Sequence, residues 1–178
     1  EMAAVGRHRQ FFDAPLTWRT MFMNYRLGSV WTRNQPLLLL ERRPVKVGWD
    51  YVEIARDTLK VEGDPIDVPQ SPFLVFAAPD LRLTFGGSIQ KIIFRVPMIF
   101  LVMEHASGRS TFGRLIPATA GNGVLVNGYP HDAMSYLQLW RGHVLDPVIR
   151  CTITGPGAVF FRPEVPLTWY ELRLAGPP

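Results

Sequence analysis

The chain has 178 residues, of which 47% are hydrophobic and 19% are charged, and its formal net charge is +4. This length and composition predict one globular domain with a sizeable core and exclude wholesale disorder. The basic residues are spread along the chain rather than gathered into a patch or stripe, so binding to nucleic acid is not predicted.

The sequence contains 16 prolines and 15 glycines, which leave little room for long helices and favour short strands joined by turns. Residues 1–20 show no clean hydrophobic period and are predicted to be a loosely packed lead-in segment. A single β-sandwich domain is predicted over residues 21–178. Residues 21–31 fit either a strand or a short helix, and Gly28 with the β-branched Val30 favours the strand.

Short apolar segments bounded by Pro, Gly or charged pairs predict a succession of strands from residue 37 onwards. These segments are 37–41, 45–47, 51–54, 73–76, 81–85, 108–115 and 123–127. Residues 89–104 are apolar at both parities and are interrupted by Pro97. This pattern predicts a pair of strand segments, or one bent strand, crossing the middle of the core.

One helix is predicted, near residues 131–141. Ala133, Tyr136, Leu137 and Trp140 lie on one face at helical spacing. Because this helix falls between two predicted strands, we expect it to cover one open end of the sandwich and to bury Leu137 and Trp140.

The last predicted strand lies in the segment FFRPEVPLTWYELRL, residues 160–174. Its apolar parity switches from Leu167 and Trp169 to Tyr170 and Leu172, which predicts a β-bulge near Trp169. Its two prolines predict a position at the edge of a sheet, where a missing amide donor costs little. Taken together, the elements predict an all-β fold, a two-sheet antiparallel β-sandwich of jelly-roll type.

Residues suited to catalysis or metal binding are scattered along the chain. Cys151 is the only cysteine, and its alternation with Ile149 and Ile153 predicts a buried side chain. No Ser, His and acid stand together as a nucleophilic motif, and no metal-ligand spacing or phosphate-binding loop occurs. We therefore predict no catalytic residue, no metal and no cofactor.

Aromatic residues are more numerous than a minimal core requires. Flat rings on a sheet face or at a loop end can stack on the apolar faces of sugars, while polar neighbours bind the hydroxyls. Filling the core is the commoner role for any one ring. From residue type alone, the candidate ligand-binding residues are Trp49, Tyr129, His131 and Trp169.

Over residues 59–174, short strands, a helix after NGYPHD and further strands ending in a Pro-flanked TWYE follow one another. This layout resembles the carbohydrate-binding-module-like β-sandwich domains of bacterial extracytoplasmic and membrane proteins. The resemblance implies a non-catalytic module on the outer side of a membrane, with a glycan or a protein as its partner. The start, EMAAVGRHRQ, lacks both an initial Met and the apolar segment of a signal peptide. We therefore expect a larger parent protein, and the resemblance implies that regions outside this chain attach it to the membrane.

Two other classes of function stay open on the sequence alone. A small β-sandwich enzyme acting on a carbohydrate or a related small molecule would need a deep polar pocket, with a carboxylate or histidine held by a partner. A purely structural domain would bury its aromatic side chains. An exposed aromatic platform would favour the binding module.

Overall fold

The computed structural model describes residues 14–31, 37–44, 48–93, 97–127, 133–140, 144 and 146–174. Within these ranges the chain forms ten β-strands, four α-helices and one 3-10 helix. The strands are β1 (Tyr25–Trp31), β2 (Leu37–Arg42), β3 (Trp49–Lys60), β4 (Ile66–Asp67), β5 (Leu74–Pro79), β6 (Ile99–His105), β7 (Ser110–Leu115), β8 (Val124–Leu125), β9 (Val148–Thr154) and β10 (Glu164–Leu174). The helices are α1 (Pro15–Asn24), α2 (Phe85–Ile93), α3 (Pro117–Ala120), α4 (Ala133–Trp140) and the 3-10 helix (Ala158–Phe160).

Eight of these strands form two four-stranded antiparallel sheets. The first sheet has the order β3-β10-β5-β8 and the second has the order β4-β9-β6-β7, while β1 and β2 form a separate hairpin. The chain passes between the sheets just after β3. There, the amide of Val61 donates to the carbonyl of Pro163, and the amide of Glu62 donates to the carbonyl of Ile153. The two sheets confirm the predicted all-β sandwich.

The side chains between the two sheets form a hydrophobic core. In β6, Ile99, Leu101 and Met103 are buried, whereas the residues between them are partly exposed. Trp169 of the first sheet and Cys151 of the second are also fully buried. The predicted burial of Cys151 is thus confirmed, and desolvation raises the pKa of its thiol to about 12.

Strand β10 lies inside the first sheet, between β3 and β5. The shift of register against β3 between Trp169 and Tyr170 confirms the predicted bulge. The predicted edge position is wrong. The carbonyl of Pro166 accepts from the amide of Asp80 at 2.8 Å, one residue beyond the end of β5. The amide and the carbonyl of one strand residue point to the same side of the strand. The amide donor that Pro166 lacks would therefore point towards β5 at a position past the paired residues, so no hydrogen bond of that ladder is lost.

The predicted helix near residues 131–141 is confirmed by α4. In this helix Leu137 is buried and Trp140 packs against the core, with its ring centroid 4.8 Å from that of Phe22 in α1. Helix α1 runs across the predicted end of the lead-in segment, and the strand that follows begins at Tyr25. A proline in the first turn of α1 suits a helix start, because its amide has no partner to lose there.

The structure corrects the prediction for residues 89–104. The first five of them complete helix α2, and the strand begins only at Ile99. The isoleucines of α2 do follow a helical spacing of three and four. Two glycines disfavour a helix and the β-branched isoleucines favour a strand by propensity, and here tertiary packing outweighs these preferences.

Helix α2 packs on the 3-10 helix through a glycine. Gly87 is buried, and a Cβ atom added there would lie 2.1 Å from the carbonyl oxygen of Phe160. The amide of Thr84, just before the helix, donates to the same carbonyl at 2.9 Å. Only glycine allows this approach, so the Gly87 side of α2 faces the body of the protein.

Helix α1 covers part of the outer face of the first sheet. Tyr51 and Tyr170 lie on the face opposite to Trp169, and their rings stack with centroids 4.4 Å apart. The guanidinium carbon of Arg19, in α1, lies 4.2 Å from the centroid of the Tyr51 ring. The first sheet is therefore covered on both faces here, whereas the outer face of the second sheet carries exposed side chains.

Candidate binding face

The four predicted ligand-binding residues differ in what the structure describes of them. Trp169 is fully buried, and its indole Nε1 donates to Oδ2 of Asp57 at 2.7 Å, so its ring offers no face to a ligand in this conformation. Trp49 is the first residue of β3, and its side chain lies outside the described part of the structure. Tyr129 and His131 lie outside the described residues altogether. The ligand-binding role assigned to the four residues stays a prediction.

The outer face of the second sheet is accessible to solvent. Side chains alternate between the two faces of a strand, so the residues between the buried ones point outward. Direct pairing across β7, β6 and β9 arranges these residues in three rows, and none of them is fully buried. The rows, which we call the platform, are Arg114–Phe100–Thr154, Phe112–Val102–Thr152 and Ser110–Glu104–Arg150.

Two phenyl rings meet on the platform. The ring centroids of Phe100 and Phe112 are 5.9 Å apart, and the rings are nearly perpendicular, at 88°. Phe112 is 43% exposed. The ring of Phe100 lies over Gly155, where an added Cβ would come within 3.1 Å of it. The pair therefore has a fixed edge-to-face geometry, with an apolar surface open to solvent.

Arg114 stands directly beside Phe100 and is not neutralised by the sheet. Its Nε is buried without a hydrogen-bond partner, and among the described residues no carboxylate forms an ion pair with it. Arg150, on the same platform, is paired with Glu104 at 2.8 Å. A guanidinium carries five N–H donors. Because Nε is buried, the donors that oxygen atoms of a ligand can reach are those of the two terminal nitrogens of Arg114.

A polar cluster lies inside the sandwich at the end of β6 and β7. His105 is 1% exposed; its Nδ1 lies 3.0 Å from the backbone oxygen of Asp146, and its Nε2 lies 2.7 Å from the hydroxyl oxygen of Thr111. Because a carbonyl only accepts, Nδ1 donates to it, and Nε2 lies at hydrogen-bond distance from the Thr111 hydroxyl. The Asp146 carboxylate accepts from the Ser107 hydroxyl at 2.8 Å and from Nη2 of Arg109 at 3.1 Å.

This cluster joins the segment around Asp146 to the β6–β7 turn, and we interpret it as structural. A hydroxyl nucleophile must reach substrate, but the imidazole that would activate it here is buried between the sheets. Partial burial alone would raise the pKa of Asp146. Hydrogen bonds from Ser107 and the nearby His105 and Arg109 outweigh that effect, so the pKa of the carboxyl lies below its ordinary value.

A second polar cluster lies at one end of the first sheet. Glu171 is 4% exposed, accepts from the Ser71 hydroxyl at 2.7 Å and is paired with Arg173. Nδ2 of Asn127 donates to the carbonyl of Ser71 at 3.3 Å, while its Oδ1 is buried with no hydrogen-bond partner in the described structure. The two charges of this cluster satisfy each other, so it is a weaker candidate for binding than the platform.

No family model, curated protein or solved structure matches this chain. The resemblance of its layout to carbohydrate-binding-module-like sandwiches therefore stays a prediction. Among the helices that the structure describes, none is long and apolar enough to cross a bilayer. In the same part of the chain, no three His, Cys, Asp or Glu side chains group together as a metal site.

Sequence reasoning missed the residues of the platform. The sequence predicts a strand over residues 108–115, but the alternation of its residues was not used to assign them to the two faces of the strand. Phe112 and Arg114 share one parity of that strand, which is a readable signal for a common face. That Phe100 stands next to Arg114 follows only from the pairing of β6 with β7, and strand pairing is not encoded locally.

Proposed function

We propose that this chain is a non-catalytic glycan-binding module of a larger extracytoplasmic or membrane protein, and that the platform is its binding face. The observation that carries the proposal is the unpaired Arg114 beside the edge-to-face pair of Phe100 and Phe112 on an accessible sheet. The location outside the cytoplasm is supported by the resemblance in layout alone.

The apolar part of the platform suits the C–H face of a pyranose ring. Sugar rings stack on aromatic side chains because such a face is apolar while its edges carry hydroxyls. Phe112 is exposed on β7, the edge strand of the second sheet. A glycan chain can therefore approach it from solvent.

The polar part of the platform favours an acidic glycan. Arg114 presents positive charge without a carboxylate partner among the described residues, and guanidinium donors bind carboxylates through two parallel hydrogen bonds. Thr154, in the same row, adds a hydroxyl that can donate or accept. We therefore expect glycans that carry a carboxylate to bind more tightly than neutral ones.

The platform lacks the groups that glycoside hydrolysis requires. Most glycosidases place two carboxyl groups on opposite sides of the scissile bond. Glu104 is the one carboxylate among the nine platform residues and is paired with Arg150. Asp67, on β4, continues that row on the other side of Arg150, so a guanidinium stands between the two acids. This arrangement supports binding without cleavage.

A glycan array tests the proposal, with wild-type protein, Phe112→Ala and Phe73→Ala applied under the same conditions. Phe73 is 40% exposed, close to the 43% of Phe112, but it precedes β5 in the first sheet and serves as the matched control. We expect Phe112→Ala to weaken binding by about tenfold or more, which corresponds to roughly 1.4 kcal/mol, and Phe73→Ala to bind like wild type. Absence of wild-type binding to every glycan, or equal loss in both variants, would contradict the proposal.

A further inference from the structure

The chemistry of the platform changes from one row to the next. The first row carries Arg114, whose positive charge has no carboxylate partner among the described residues. The second row is apolar at Phe112 and Val102, which lie side by side. Its Thr152 hydroxyl is already used, since it donates to the carbonyl of Gly63 at 3.1 Å. A ligand laid along the strands therefore meets a positive charge first and an apolar surface next.

The third row carries the opposite charge. Glu104 is paired with Arg150 at 2.8 Å, and both side chains are accessible. Asp67, which is exposed on β4, stands directly opposite Arg150 in the strand register and so lies on the same face of the sheet. Two carboxylates and one guanidinium give this row a net formal charge of −1.

The two charged rows are too far apart for one sugar to contact both. Arg114 and Ser110 are four residues apart on β7, and at about 3.3 Å per residue the first row lies roughly 13 Å from the third. Phe112 stands midway, about 7 Å from each. One pyranose whose carboxylate binds Arg114 can cover Phe112. The hydroxyls that face the third row must then come from the next sugar of the chain.

We propose that the platform recognises a glycan in which an acidic sugar is followed by an uncharged or amino sugar, and that Glu104 and Asp67 disfavour a second acidic sugar at the third row. The pair of Glu104 with Arg150 presents hydrogen-bond acceptors beside donors, which suits the hydroxyls of a neutral sugar. A carboxylate placed there would face two acids, and like charges brought together across an interface weaken binding. This inference rests on the proposed glycan binding and adds the order of the sugars.

Titration calorimetry tests the proposal with tetrasaccharides of equal length. Hyaluronan and unsulfated chondroitin fragments alternate glucuronate with an N-acetylated neutral sugar, whereas every sugar of tetragalacturonate is acidic. We expect wild type to bind at least one of the alternating fragments about threefold or more tightly than tetragalacturonate, although the latter carries more charge. Glucuronate alone should bind about tenfold more weakly than that fragment, because it makes no hydrogen bond to the third row.

Glu104→Gln tests the role of the third row directly, because it removes one acid and frees Arg150. This variant should bind tetragalacturonate about threefold or more tightly than wild type does. Glu53→Gln is the matched control, since it removes an acid that is paired with Arg56 on the first sheet, and it should bind like wild type. Thermal unfolding shows whether both variants keep their fold, which is expected because neither acid is buried.

Three results would overturn this inference while leaving glycan binding itself intact. They are equal or tighter binding of tetragalacturonate by wild type, an unchanged preference in Glu104→Gln, and the same change of preference in Glu53→Gln. Absence of wild-type binding to all of these saccharides would instead refute the proposed function and this inference together.

Discussion

At the scale of single residues, Tyr51 carries a hydroxyl that the fold buries with no well-formed hydrogen bond in the described structure, since the approach of Arg19 to it is only weak. Burial raises the pKa of Tyr51 to about 12, against a smaller opposing effect of Arg19. A buried polar group left unpaired costs about 1–3 kcal/mol. We therefore expect Tyr51→Phe, which keeps the ring stacked on Tyr170, to increase the free energy of unfolding by about 1 kcal/mol.

Urea denaturation measures this change, with Tyr25→Phe as the control because Tyr25 is 36% exposed and its hydroxyl can meet water. The control should unfold like wild type. A loss of stability in Tyr51→Phe would show that its hydroxyl forms a favourable hydrogen bond after all.

Gly123 lies against the same hydroxyl. Its φ is +92°, and an added Cβ would lie 2.1 Å from the hydroxyl oxygen of Tyr51. Gly123→Ala therefore combines backbone strain with a steric clash, and we expect it to cost about 2 kcal/mol or more. In a Tyr51→Phe background the clash is relieved while the strain remains, so the cost should be smaller. A double-mutant cycle by urea denaturation measures the difference, and equal costs in the two backgrounds would contradict the predicted contact.

Asp146 makes the stability of the fold depend on pH. A carboxyl with a lower pKa in the folded chain contributes stability above its ordinary pKa of about 4, and this contribution is lost as pH falls through the folded value. Asp146→Asn should therefore be less stable than wild type at neutral pH and should lose less stability on acidification. Thermal unfolding between about pH 7 and pH 3 measures both effects. Asp64→Asn, in the exposed turn after β3, makes the same charge change and should follow wild type; a parallel curve for Asp146→Asn would refute the argument.

At the scale of elements, β10 has one feature that the local sequence predicts, its bulge, and one that it does not, its position in the sheet. The change of apolar parity around Trp169 is a local pattern, and the bulge it predicts is present. The neighbours of a strand depend on the path of the whole chain, so the two prolines suggested an edge that β10 does not occupy. Pro166 is tolerated because β5 ends before the position that would pair with it.

The sequence did not predict helix α2, and the reason is different. Its glycines disfavour a helix and its isoleucines favour a strand, but the contact of Gly87 with the 3-10 helix holds it as a helix. That contact spans more than seventy residues of sequence, because Thr84 and Gly87 both approach Phe160. Helix α4 was predicted correctly because its apolar spacing and its helical propensity agree.

A substitution in the core should reduce stability, whereas a substitution on the platform should reduce binding and leave stability nearly unchanged. Trp169 fills the core between the sheets, so Trp169→Ala is expected to cost about 3–5 kcal/mol. Phe112 lies on the accessible platform, so Phe112→Ala should cost less than about 1 kcal/mol. Chemical denaturation of both variants measures this difference. A large loss of stability in Phe112→Ala would mean that the platform serves the fold rather than a ligand.

At the scale of the whole molecule, period-two alternation was enough to predict two packed sheets, because burial of one face is repeated in each strand. It was not enough to predict the site. Trp169 was a candidate by residue type, yet a large ring is equally suited to the core, where it lies. Arg114 and Phe100 become neighbours only when β6 and β7 pair, fourteen positions apart in the chain.

The central claim is that Arg114, unpaired beside two phenyl rings, makes the platform a site for acidic glycans. The most direct measurement compares wild type, Arg114→Ala and Arg56→Ala on an array that contains acidic and neutral glycans. Arg56 is an exposed arginine of the first sheet that pairs with Glu53 and controls for the loss of one positive charge. We predict that wild type and Arg56→Ala prefer the acidic glycans and that Arg114→Ala loses that preference. Unchanged preference in Arg114→Ala, or equal loss in both variants, would contradict the claim.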